Sequence, residues 1–169
     1  MRQSILVLGT LHEIQGPRFR DFVDDPSYRK LLETAMSGVD FVFEEASGRR
    51  PSIAEQDAEL ALGFGRYADI DPSANERPLV GIPASTGSGF PIDPCSSPDA
   101  CATEDHVAHR LREEEWIRRI QSQQFQKALV IVGIAHSLSF QRRLSDVGFD
   151  AQVWAYTPHA KLCRRKHSG

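Results

Sequence analysis

The sequence predicts a single α/β domain, residues 1–169, built on a mostly parallel sheet with helices on both faces. Three observations carry this. Residues 5–8 and 128–132 are unbroken Val/Ile/Leu-rich runs, the pattern of strands buried on both faces rather than alternating between core and water. Segments with helical spacing separate successive apolar runs, and such alternation favours right-handed crossovers between parallel strands. The 169-residue length, with 40% hydrophobic and 25% charged residues, suits one folded domain with its own core.

In chain order, residues 5–8 form the first strand, closed by Gly9, and 10–17 a loop. Apolar side chains then recur at Phe19, Phe22, Val23, Tyr28, Leu31, Leu32 and Ala35, a helical spacing interrupted at Asp25 and Pro26. Asp25 can cap the second piece, with Pro26 in its first turn. Gly38 ends it, and residues 39–43 form the second strand, running into Glu44 and Glu45.

Ser52 can cap a helix that holds Ile53, Ala54, Ala58, Leu60, Ala61 and Leu62 and stops at Gly63 and Gly65. Residues 69–77 are polar and carry no clear period, and residues 79–82 read as a third strand or a buried loop. Residues 83–98, rich in Pro, Gly and Ser, form the longest stretch without period; loops of that length are usually lids or mobile segments. A long helix starts at Asp99 or Thr103 and carries Val107, Leu111, Trp116, Ile117 and Ile120. The strand at 128–132, a helix at 138–147 stopped by Gly148, a last strand at 151–155 and a basic, solvated tail at 161–169 complete the chain.

A formal net charge of −3 gives no reason to expect nucleic-acid or anionic-membrane binding. No apolar stretch reaches the length of a membrane span. The first apolar run is too short for a signal-peptide core. Cys95, Cys101 and Cys163 are an odd set without a Cys-x-x-Cys pair, which fits a reducing compartment. The expected location is the cytoplasm.

Candidate chemistry lies at the ends of the strands. Residues 4–12 read SILVLGTLH and residues 128–136 read ALVIVGIAH, so two strands each end in Gly-x-x-His. Ligands of parallel α/β sheets sit beyond the carboxyl ends of the strands. That rule brings His12, Glu44, Glu45 and His136 to one rim. Glycine three residues before each histidine permits a tight turn and close approach to a ligand. Glu44 and Glu45 are neighbours on an extended chain and point oppositely, so one of them is expected to face the site. His106 and His109 share a helical face that reads as solvated, and Asp93 and Asp99 flank the loop as possible lid residues. No phosphate-binding glycine loop is present.

The order Gly9-Thr10-Leu11-His12, then Glu44-Glu45, then Arg112 with Trp116, then Gly133-Ile134-Ala135-His136 resembles the superfamily that groups TraB/PrgY-like proteins, the Tiki proteases, erythromycin esterases and ChaN-like haem-binding proteins. The resemblance spans residues 9 to 136. It implies an α/β fold and a site of His12, one of Glu44 and Glu45, Arg112 and His136, serving as a hydrolase or as a haem binder.

These residue types suit hydrolysis of an ester or amide in a small molecule or peptide. His12, His136 and Glu45 can hold a divalent ion such as zinc, manganese or cobalt, which lowers the pKa of bound water, while Arg112 stabilises the oxyanion. Without metal, one histidine can act as general base on water, oriented by a glutamate. Gly9, Thr10, Gly133 and Trp116 would then flank the substrate. The alternatives are haem or metal-ligand binding without turnover, and a regulatory module on the same scaffold.

Overall fold

The computed structural model describes residues 2–18, 22–46, 48–82 and 107–156. Strands β1 (Ser4–Thr10), β2 (Phe41–Glu44), β3 (Tyr67–Asp69), β4 (Lys127–Gly133) and β5 (Asp150–Ala155) form one sheet in the order β3-β2-β4-β1-β5. Every pairing is parallel. The two apolar runs, β1 and β4, lie side by side and are paired from Ser4 opposite Lys127 to Thr10 opposite Gly133. As interior strands they are covered on both faces, which explains why neither alternates.

Helices α1 (Pro26–Met36) and α2 (Ile53–Leu62) start as their sequences require. Asp25 accepts the Ser27 N–H at 2.9 Å, and Ser52 Oγ accepts the Glu55 N–H at 3.0 Å, satisfying donors that a first helical turn leaves unpaired. The remaining helices are α3 (Val107–Gln121) and α4 (Ser137–Asp146). The expected start of α3 at Asp99 or Thr103, the loop at 83–98 with Asp93, the three cysteines, His106 and the basic tail lie outside the described residues.

One expectation needs correction. The third strand is β3, not residues 79–82: Arg77–Val80 is a short 3-10 turn whose Leu79 is exposed. β3 is three residues long and, among the described residues, pairs only with β2, and so short an element leaves no readable period.

Two cores cover the sheet. Leu8, Val42, Leu129 and Ile131 pack under α1 and α2 with Tyr28, Leu32, Ile53 and Ala58. On the other face Val7, Phe43, Val130 and Val132 pack under α3 and α4 with Trp116, Ile120, Phe140 and Leu144. The helix after β1 and the helix after β4 therefore lie on opposite faces, although β1 and β4 are neighbours. Adjacent strands whose connections part in this way open a crevice above their carboxyl ends. His12 and His136 follow those two strands.

Candidate functional site

His12 begins a 3-10 turn two residues after β1, and His136 ends one three residues after β4. Glu45 follows β2 directly, its N–H bonded to the Ile131 carbonyl at 2.8 Å. The parallel sheet thus brings all three to one rim. Arg112 and Trp116, one turn apart on α3, reach the same place, with the guanidinium carbon 5.1 Å from the Trp116 ring centre.

Glu45 is the glutamate that faces this cluster. Its Oε1 accepts from Arg112 Nη2 at 2.5 Å and lies 3.8 Å from His12 Nε2; its Oε2 accepts the Gly133 N–H at 2.7 Å. Burial pulls its pKa up, but the charge of Arg112, the nearby His12 and His136 and the Gly133 N–H outweigh that and hold it down at about 2. Gly133 is glycine because of this packing: a Cβ there would stand 3.0 Å from His12 Nε2 and 3.3 Å from Glu45 Oε2. Its φ of −55° and ψ of 139° suit any residue, so the constraint is space rather than backbone conformation.

Glu44 points the other way, as alternation along an extended chain requires. It is fully buried among neutral donors: Gln15 Nε2 at 3.0 Å, the Tyr67 hydroxyl at 2.8 Å and the Ser52 hydroxyl. Burial outweighs these hydrogen bonds and, with the charge of Asp69, pushes its pKa up to about 7. Gln15 links it to the rim, since Gln15 Oε1 lies 2.6 Å from His12 Nδ1.

Arg112 forms no surface pair with its neighbours on α3. Besides Glu45 it binds Asp71 Oδ1 through Nε at 3.1 Å and Nη2 at 2.9 Å. Trp116 Nε1 donates to the same oxygen at 3.0 Å, and Arg77 Nη2 donates to Asp71 Oδ2 at 2.9 Å. Asp71, fully buried, is thereby the fixed point from which Arg112 and Trp116 are aimed.

His136 is buried, its Nδ1 2.9 Å from Glu113 Oε1. Glu113 also accepts from Ser139 Oγ at 2.7 Å and from Arg143 Nε at 2.8 Å. Trp116 meets the His136 ring edge to face at 4.9 Å. His109, expected on a solvated face, is half-buried instead: its ring lies 4.4 Å from that of His136, and burial, followed by the nearby His136 and Arg112, lowers its pKa.

Gly9 and Thr10 shape the base of the crevice. A Cβ at Gly9 would stand 2.6 Å from the Ser137 Cβ, closer than packed atoms allow, so glycine here lets α4 start against β1. Thr10, opposite Gly133, is fully buried, and its Oγ1 has no hydrogen-bond partner among the described residues.

The Nδ1 contacts of His12 and His136 are of the kind that orient metal-binding imidazoles. Among the described residues, however, no group of three or more His, Cys, Asp or Glu side chains is arranged to hold a metal ion. Both oxygens of Glu45 are engaged, by Arg112 and by Gly133. Around Glu45 the described residues place a partly exposed imidazole, His12, beside a buried carboxylate and the buried Arg112 guanidinium.

The sequence does not single out Gln15, Asp71 or Glu113. Gln15 lies three residues after His12 and would be found by asking what can fix the ring in a tight turn. Asp71, in a polar stretch, gives no such sign. The molecule is, by fold and rim geometry, an α/β protein with a histidine and carboxylate cluster at the switch point of a parallel sheet. Comparison with family models, with curated proteins and with solved structures finds no match to the chain.

Proposed function

We propose that the rim cluster hydrolyses an ester or amide bond in a small molecule or peptide, with His12 as the general base. The single observation behind this is the placement of His12 Nε2, on a side chain 40% exposed, 3.8 Å from buried Glu45. His12 Nε2 removes a proton from water as the water oxygen attacks the substrate carbonyl, and Glu45 stabilises the imidazolium that forms. Arg112, aimed by Asp71, faces the negative charge that develops on the carbonyl oxygen. Collapse of the tetrahedral intermediate breaks the bond to the alcohol or amine, which leaves with the proton returned by His12. His136, with Trp116 and His109 packed against its ring, stands on the same rim.

The test is a panel of activated esters and amides assayed with purified protein, together with elemental analysis and an absorbance scan. Turnover without stoichiometric metal, lost in both His12→Ala and His136→Ala, is expected. Turnover that requires zinc, manganese or cobalt would replace His12 with a metal-bound water as the base. A Soret band without turnover would favour the haem-binding reading and overturn this one.

A further inference from the structure

We propose that Glu44 and Gln15 form a buried positioning relay that fixes the ring orientation and tautomer of His12. The inference deepens the hydrolytic reading and rests on it for its functional meaning, though not for its geometry.

Gln15 is fully buried and held at three points. Its backbone N–H donates to the His12 carbonyl at 3.1 Å, closing the 3-10 turn, and its own carbonyl accepts the Ile53 N–H at 2.8 Å, tying the turn to the start of α2. Its side-chain amide then has one available orientation. The Ser52 and Tyr67 hydroxyls donate to Glu44 Oε2; when Glu44 is ionised its Oε1 can only accept, so the Gln15 group facing it at 3.0 Å is the donating NH2. The amide oxygen is left facing His12 Nδ1 at 2.6 Å. An amide oxygen only accepts, hence Nδ1 carries the proton. In the neutral ring Nε2 is then the unprotonated nitrogen, 3.8 Å from Glu45 Oε1.

The relay is built from the scaffold. Ser52, which donates to Glu44, is also the residue that caps α2 by accepting the Glu55 N–H, and Tyr67 belongs to β3. Glu44 and Glu45 thereby divide the work of a doublet. Glu45 stands beside the reacting nitrogen, whereas Glu44 acts two bonds away, as a positioning residue through Gln15.

The experiment reads the His12 tautomer in the full chain by long-range proton–nitrogen correlation of nitrogen-15-labelled histidine, at a pH where the ring is neutral, assigned with His12→Ala. Wild-type protein is expected to show the Nδ1–H form. Gln15→Met, close in shape but a poor acceptor, is expected to lose it in favour of Nε2–H, while Glu44→Gln, which can still accept from Gln15, retains it. Where a substrate has been found, Gln15→Met lowers kcat by about 10²-fold, of the order of a misplaced general base, with KM little changed. A wild-type Nε2–H ring, or an Nδ1–H ring that persists in Gln15→Met, overturns the relay, and the wild-type spectrum decides even if a variant fails to fold. Absence of hydrolysis across the substrate panel with the expected tautomers would remove the hydrolytic reading and leave the relay standing.

Discussion

Gly133 and His12 are packed so closely that a Cβ at residue 133 would lie 3.0 Å from His12 Nε2, and the ring would have to give way by a few tenths of an ångström. The glycine of one Gly-x-x-His motif thus makes space for the histidine of the other. Its N–H also donates to Glu45, so a single residue of β4 sits against both His12 and Glu45.

Gly133→Ala keeps that N–H and an allowed backbone, and displaces His12 and Glu45. Turnover is expected to fall at least about tenfold, while stability changes by about 1 kcal/mol, the low end for one added methyl in a packed site. Kinetics and urea unfolding on the same preparation check it. Full activity in the alanine variant would mean that the close approach serves packing only.

Gly9 makes the matching contact below the crevice, and there the neighbour cannot swing aside, because the Ser137 Cβ is fixed to its backbone. Gly9→Ala should destabilise by about 1–3 kcal/mol through overpacking. Ser137→Gly should recover much of this in the double variant, and Ser137→Cys should not. A double-mutant cycle by chemical denaturation measures the coupling.

Arg112 is buried between Glu45 and Asp71. Arg112→Met leaves Glu45 without its guanidinium and takes one of the cations from Asp71, for a loss of about 3–5 kcal/mol, as for a broken buried pair. Arg112→Lys, which lacks the fork that spans both carboxylates, should fall between. Equal stability of all three proteins by urea unfolding would contradict this ion network.

The adjacent glutamates oppose each other in pH dependence. Glu44 has a folded pKa of about 7 against an ordinary 4.5, so folding favours its protonated form. Its contribution is fully present below 4.5 and is lost as pH rises through about 7. Glu45 is held at about 2; its contribution is present above 4.5 and is lost as pH falls through about 2. Glu44→Gln should therefore flatten the decline of unfolding free energy between pH 5 and 8. The gap between the two Glu44 values corresponds to about 3 kcal/mol. Parallel pH profiles for wild type and variant would show that Glu44 does not titrate in that range.

The sheet and most of the helices were legible because their causes are local. Unbroken apolar runs mark β1 and β4, and Asp25, Pro26 and Ser52 mark helix starts that the structure shows in place. β3 was not legible, since a three-residue strand has too few side chains to show a period. At the site, the strand-end rule located His12, Glu45 and His136, and alternation indicated that one glutamate faces inward. It could not tell which, because the answer depends on Gln15, Ser52 and Tyr67 meeting Glu44 from three different elements. Asp71 and Glu113 escaped for the same reason: each is defined by partners distant in sequence, Arg112 in one case and His136 in the other.

The most direct test of the central claim is the ratio of kcat/KM between wild type and His12→Ala on the best ester or amide substrate, with thermal melting showing both folded. Removal of the general base should cost about 10²–10⁴-fold. A His12→Ala protein that is folded and hydrolyses that substrate at the wild-type rate would contradict the account.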